Sequence, residues 1–401
     1  MASIAILGFG VVGSGVAEVI SENLEIIEKR INGKLDIKYI LDLRDFPDSP
    51  FGDRVVHDFN VILNDPEVTI VAEMMGGSHP AYDFSVAALK AGKSVVTSNK
   101  EVVSKFGVEL LKTARENNVR YLFEASVGGG IPIIRPLTSD LAANDIRSIS
   151  GILNGTTNYI LTQMAENGAD FDVALKDAQA KGYAEANPTA DVDGIDAARK
   201  IVILASLAYG KLIDPDSIYA EGISKISISD IELAREFGYS IKLIGHCERV
   251  DGKILAMVCP RLIPTSNPLH TVNDVFNGIL VDANMLGQSM FYGRGAGKLP
   301  TASAVVGDII DVAKCAKNDP CYPALEDASD ADVADISSYC CKNMLVFDAK
   351  ADDAVLDAFN ASQAVVRGGK VAFITEALSE KELNEKLALI TDAPTSRIRL
   401  I

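Results

Sequence analysis

The stretch Gly182–Lys200, GYAEANPTADVDGIDAARK, sets Glu185, Asp191, Asp193 and Asp196 ahead of the adjacent cations Arg199 and Lys200. The pair Asn187-Pro188 is turn-forming, so ANPTAD reads as a loop. From about Asp193 the pattern turns helical, and GIDAARKIVILASLAYG runs on as an apolar helix. Asp196 and Lys200, four residues apart, then share one helical face. An ammonium beside a carboxylate, near a loop with further acids, could hold a small zwitterion and move a proton. The same residues also suit a capped helix with a solvated first turn, because acids favour helix N-termini.

A second constellation opens the chain. Gly8, Gly10 and Gly13, with Val11 and Val12 between them, make GFGVVG, a GxGxxG match. It follows the apolar strand SIAILG and opens the helix VVGSGVAEVISENLEIIEKRI, the context that gives this motif meaning. The first glycine permits the tight turn, the second lets backbone approach a pyrophosphate, and the third lets helix pack on strand. The helix N-terminus then faces the phosphates, so a dinucleotide is expected. The next strand ends LDLRDF, where Asp42 suits a ribose 2′-hydroxyl (NAD) and Arg44 a 2′-phosphate (NADP). Both are present, and the choice stays open.

Three further segments carry polar or glycine-rich chemistry. SNKEVVSK places Asn99 and Lys100 at a strand end, where ligands sit in such sheets. Lys100 there is a solvated helix-start residue or a cationic anchor for substrate or nicotinamide. EASVGGGIPIIRP, from Glu124 to Pro136, could bind a cation through backbone oxygens or act as a hinge. GRGAGKLPT, Gly293 to Thr301, suits an anion, an edge of the cofactor, or an inter-domain turn.

The elements that must position these residues follow from periodicity. Over residues 1–130 strands alternate with helices, so the class is α/β with a Rossmann-type, doubly wound parallel sheet. Residues 131–318 read as an α+β catalytic and dimerisation domain, in which YSIKLIGHCERVDGKILAMVCPRLI is a hairpin about Asp251-Gly252. Residues 300–318 are expected to pack back on the first domain, and 319–335 form a linker rich in Pro, Asp and Ala. Residues 336–401 read βαββαβ, the ferredoxin-like split pattern, with helices at DAVLDAFNA and SEKELNEKLALI.

Bulk composition narrows the partners. A net charge of −17 argues against nucleic acid or an anionic membrane as the main partner. The N-terminus lacks a signal-peptide pattern and no apolar run approaches a membrane span, so a cytoplasmic protein is expected. The cysteines (Cys247, Cys259, Cys315, Cys321, Cys340 and Cys341) form no CxxC, and the histidines do not cluster at metal-ligand spacing. Reduced structural thiols are expected, with Cys340 and Cys341 on opposite faces of a strand.

Taken together, GFGVVGSGV, SNK, EASVGGGIPI, GILNGTTNYIL, GYAEANPTADVDGIDAARK and GRGAGKLPTASAV resemble the homoserine dehydrogenase family, in order and spacing, from residue 1 to about 318. The resemblance implies interconversion of L-aspartate 4-semialdehyde and L-homoserine with NADP or NAD. It matches Lys200 to the proton donor, Glu185 and Asp196 to acids that hold the amino-acid substrate, and Asp191 to an acid of the active-site loop. It matches Lys100 to a lysine near cofactor and substrate, and Gly297 to a cofactor-contacting glycine. It also matches Glu124, Val127, Gly129 and Ile131 to positions whose backbone carbonyls bind Na+. A catalytic lysine is expected to feel burial and a second cation such as Lys100. The C-terminal unit resembles an ACT regulatory domain, which implies threonine as effector. It departs from that pattern at DAKADDAVL, which lacks the Pro-Gly pair. A homodimer or homotetramer is implied. With no kinase segment before residue 1, fusion to aspartate kinase is not expected. The rival aspartate-semialdehyde dehydrogenase needs a cysteine nucleophile, and no cysteine precedes Cys247. A non-catalytic dinucleotide sensor would be expected to lack Lys200 or Glu185.

Overall fold

The apolar run at the N-terminus forms strand β1 (Ala2–Leu7), buried from Ser3 onward. It lies at the middle of a parallel sheet with β2 (Leu35–Leu41), β3 (Val55–Val56), β4 (Val68–Glu73), β5 (Ser94–Thr97) and β6 (Tyr121–Leu122). The order is β3-β2-β1-β4-β5-β6, that of dinucleotide-binding folds, whose crevice lies where the order reverses beside β1. The computed structural model describes residues 2–314, 322–348, 355–356, 359, 361, 364–390 and 392–401.

The chain divides into two compact units. One comprises Met1–Asn144, Val202–Asp214 and Gly293–Asp327; the other comprises Asp145–Ile201, Pro215–Tyr292 and Ala328–Ile401. In the first unit, helix Lys298–Lys314 packs against helix Val11–Glu22. The long helix expected after GFGVVG is two helices, Val11–Glu22 and Leu24–Ile31. Asn23 ends the first, its amide side chain and N–H both donating to the Val19 carbonyl, the local competition that makes Asn a poor interior residue. Strand β6 is only two residues long, because the chain turns into a 3-10 helix at Glu124–Ser126.

The second unit carries a ten-stranded mixed sheet. Its central hairpin, Tyr239–Val250 with Lys253–Pro264, turns at Asp251 and Gly252 with φ of 50° and 81°, the two left-handed residues of a type I′ turn. Strands Ile146–Ile152, Phe276–Ala283 and Gly287–Arg294 extend the sheet on one side. On the other, Ser396–Leu400 joins Lys253–Pro264 in parallel, pairing Arg399 with Arg261. Asn343–Asp348, Lys370–Ile374 and Ala364–Arg367 follow in that order. The C-terminal strands therefore run fourth, first, third, second, with helix Glu380–Leu387 between the third and the fourth. A capping box between Ser379 and Glu382 starts that helix. The helix expected at DAVLDAFNA and the DAKADDAVL turn lie largely outside the described residues. Arg399 anchors the last strand, donating to Glu380 at 2.9 Å and to Glu221 at 2.8 Å.

Cys340 is exposed and Cys341 buried, and Cys247, Cys259, Cys340 and Cys341 are free thiols. Cys315 and Cys321 lie outside the described residues. Among the described residues no helix is long and apolar enough to cross a membrane.

Candidate active site

Helix Ile195–Tyr209 carries Asp196 in its first turn and Lys200 one turn later. Both are almost wholly buried, at 4% and 8% exposure. Lys200 Nζ donates to Asp196 Oδ2 at 2.7 Å and to the Leu153 carbonyl at 2.7 Å. Leu153 and Asn154 follow strand Ile146–Ile152, and Asn154 caps helix Gly155–Asn167, its Oδ1 accepting from the Thr157 N–H at 2.8 Å. The same side chain turns its Nδ2 toward the acids, donating to Asp191 at 2.6 Å and to Asp196 at 2.9 Å. Two adjacent residues, Leu153 and Asn154, thus hold the lysine and two carboxylates. Neither Leu153 nor Asn154 was singled out from sequence, although an Asn before a helix is a cap signal.

The loop expected over ANPTAD contains a short helix, Thr189–Val192, which presents Asp191 to Asn154. Asn187 supports its start, accepting from the Thr189 hydroxyl at 2.7 Å. Asp193 follows it as the exposed C-cap. Glu185 stands apart: it is exposed, and among the described residues its carboxylate has no hydrogen-bond partner. Its loop is tied by its own carbonyl to Gln179 at 3.0 Å and by the Tyr183 carbonyl to Thr156 at 2.6 Å. The structure therefore joins Asp191, Asp196 and Lys200 and leaves Glu185 outside their network. The pairing of Asp196 with Lys200 on one helical face, expected from their spacing, is present.

In the first unit, Gly8 has φ +86°, and a Cβ there would lie 2.9 Å from the Met74 carbonyl oxygen. A Cβ on Gly13 would lie 1.9 Å from the Gly8 carbonyl oxygen, so only glycine lets the helix start this close to the turn. Gly10 faces open space, Val11 is exposed and Val12 half-buried, leaving the helix N-terminus accessible to phosphate. Asp42 Oδ2 accepts from the Phe9 N–H at 2.8 Å, while Arg44 donates to both Asp42 oxygens at 3.0 and 3.1 Å. That guanidinium holds the Asp42 carboxyl down at about 2. These residues fit a dinucleotide.

At the carboxyl ends of β4 and β5, Asn99 caps helix Lys100–Glu116 and donates to the Met75 and Gly77 carbonyls at 3.3 and 2.8 Å. Lys100 is the first residue of that helix and half-buried. Beside it in the chain fold, the fully buried Glu73 accepts from the Thr97 hydroxyl at 2.6 Å and the Met75 N–H at 2.7 Å. Burial pushes its carboxyl up to about 7.

The segment around the triple glycine is buried. Gly128 and Gly129 both have positive φ, turning the backbone twice in succession. The Glu124 side chain is committed elsewhere, accepting from the N–H groups of Ile133, Ile134 and Arg135 at 2.7, 2.8 and 2.7 Å. The Na+ expected here from the resemblance calls on the backbone oxygens of Glu124, Val127, Gly129 and Ile131. Among the described residues no cluster of His, Cys, Asp and Glu offers an alternative metal site. Gly297 precedes helix Lys298–Lys314 and accepts from the Thr301 N–H at 3.1 Å.

Family models divide at the same place as the chemistry. The homoserine dehydrogenase NAD-binding domain matches residues 8–124, and the homoserine dehydrogenase domain matches 132–310. The homoserine dehydrogenase of Corynebacterium glutamicum is 45% identical over 318 residues, 78% of this chain and 72% of that protein. The chain belongs to the homoserine dehydrogenase family. That of Lactococcus lactis is 42% identical over 322 residues, 79% of this chain and 75% of that protein. The crystal structure of the Thiobacillus denitrificans member matches with a TM-score of 0.91 at 34% identity, covering 100% of this chain and 98% of that one. A hyperthermophilic archaeal member, solved as a mutant in complex with NADPH, matches with a TM-score of 0.67 at 31% identity, covering 78% of this chain and 97% of that one. As a member of this family the chain is an NAD(P)-dependent oxidoreductase.

Proposed function

We propose that the chain interconverts L-aspartate 4-semialdehyde and L-homoserine in the route to threonine and methionine, with Lys200 as the proton donor. The observation that carries this reading is the buried Lys200 ammonium, fixed between Asp196 and the Leu153 carbonyl. When bound, reduced NAD(P) supplies the hydride to the aldehyde carbon. Lys200 stabilises the alkoxide that develops on the oxygen and delivers its proton, an electrostatic and a general-acid role in one group. Asp191 and Asp196 pair the substrate α-ammonium, and Glu185 joins them from the exposed loop. Lys100 anchors the carboxylate or the nicotinamide side.

Gly8, Gly10, Val11, Val12, Gly13 and Gly297 cradle the dinucleotide. NADP is received by Arg44 and NAD by Asp42. The backbone carbonyls of Glu124, Val127, Gly129 and Ile131 would hold Na+, which would stiffen that loop. Residues 131–318 supply substrate binding and pairing of subunits into a homodimer or homotetramer in the cytoplasm. Residues 336–401 act as an ACT-like unit responding to threonine, a reading supported by the fourth-first-third-second strand order.

Initial rates of aldehyde-dependent oxidation of NADH and NADPH, each with and without threonine, test these assignments together. Turnover with at least one cofactor is expected. Inactivity with both contradicts the activity; indifference to threonine contradicts only the effector.

A further inference from the structure

Within the second unit, one face of the mixed sheet carries a polar cavity of about 390 Å3 that no part of the dehydrogenase chemistry uses. Its floor follows from register. His246 lies opposite Ser150 on one neighbouring strand and Met257 on the other, and Glu248 lies opposite Ser148. Asp282 pairs with Ser148 in turn. Directly opposed residues point to the same face, so these side chains form one polar surface. Arg261 lines the same cavity.

Arg261 is fully buried, at 0% exposure. Its Nη2 lies 2.8 Å from the Met257 thioether sulfur, and its guanidinium sits 5.0 Å from the centre of the Tyr339 ring. Among the described residues Nε and Nη1 have no hydrogen-bond partner, and neither has His246 Nε2. Glu248 is the nearest acid to that imidazole, at 3.6 Å, beyond hydrogen-bond reach. Ser150 Oγ and His246 Nδ1 are hydrogen-bonded at 2.8 Å, which fixes the ring. A thioether and a ring face soften a buried guanidinium but do not neutralise it. Buried charges are paired, and a buried guanidinium with unpartnered N–H groups at a cavity wall selects an oxyanion.

We propose that this cavity binds a small carboxylate, held by the Arg261 guanidinium with His246 and Ser150 alongside. Met257 and Tyr339 hold the guanidinium plane, and the cross-strand pairs hold the rest, so the site is built into the sheet itself. The carboxylate is that of a free small molecule, for which the cavity of about 390 Å3 has room.

Acetate is the probe, titrated into the full chain at constant ionic strength against chloride, with thermal midpoint and sedimentation both read. A free-ligand site predicts a midpoint that rises with acetate in wild type, no rise in Arg261→Met, and unchanged sedimentation. Glu248→Gln removes a negative charge from the cavity wall and should respond at several-fold lower acetate. Arg261→Met sedimenting as a smaller species, with the wild-type midpoint unmoved by acetate, would place a carboxylate of a second copy there and overturns the proposal. Arg261→Met should retain the initial rate of aldehyde reduction under conditions that preserve its assembly. The proposal is overturned if Arg261→Met matches wild type in both acetate response and sedimentation. If that variant does not fold, Glu248→Gln decides: an acetate response equal to that of wild type overturns it.

Discussion

Lys200 Nζ and Asp196 Oδ2 lie 2.7 Å apart, one helical turn from each other, and both side chains are buried. A buried ion pair is a weak source of stability, since desolvation consumes most of the attraction. Its place here is better explained by chemistry. Asp196 fixes where the ammonium stands, and Leu153 fixes how it is turned.

Asp196→Asn keeps the shape and removes the charge. A buried charge left without its partner costs roughly 2–5 kcal/mol, so kcat/KM should fall by about 30-fold or more. Steady-state kinetics with varied aldehyde check this. A variant within twofold of wild type would remove Asp196 from the site.

Asn154→Ala breaks a helix cap and strips the donor shared by Asp191 and Asp196. Loss of the cap and of buried hydrogen bonds should lower stability by about 1–3 kcal/mol. Urea unfolding reads that loss. A larger fall in kcat/KM than in Asp191→Asn would show that Asn154 positions both acids.

Arg44→Ala removes the exposed guanidinium that grips Asp42. If Arg44 receives a 2′-phosphate, KM for NADPH should rise about tenfold or more while KM for NADH changes little. Parallel cofactor titrations give the answer, and equal effects on both cofactors would assign Arg44 only to holding Asp42.

Glu73 makes stability depend on pH. Burial raises its carboxyl from the ordinary 4.5 to about 7, with Thr97 and the Met75 N–H offsetting part of the rise. The unfolded chain releases this proton near 4.5 and the folded chain near 7. The contribution is therefore fully present below 4.5 and is lost as pH rises through 7. Glu73→Gln stays neutral throughout, so relative to wild type it should gain on the order of 2–3 kcal/mol between about pH 5 and pH 8. Unfolding curves at the two pH values measure the gain; a difference independent of pH contradicts it.

The dinucleotide half was legible because its signals are local. GFGVVG sits directly between strand and helix, and Asp42 falls at the end of the next strand. The acids and Lys200 were legible as a candidate clamp, from the spacing of Asp196 and Lys200 and from the resemblance, but the residue that ties Asp191 to Asp196 was not. Asn154, 46 residues before Lys200 in the chain, is what joins them, and nothing local to either segment announces the meeting. The break at Asn23 and the short helix at Thr189–Val192, which Asn187 supports from outside, involve side-chain hydrogen bonds that compete with periodicity. Pairing of Ser396–Leu400 with Lys253–Pro264 is non-local as well. Composition reads the C-terminal strands but not the sheet they join.

The most direct test of the account is the kcat of Lys200→Ala for aldehyde reduction, measured with cofactor affinity in the same preparation. Loss of a general acid predicts a fall of roughly 10²–10⁴-fold in kcat with NAD(P)H binding retained. A kcat near that of wild type, with normal cofactor binding, would contradict Lys200 as the proton donor.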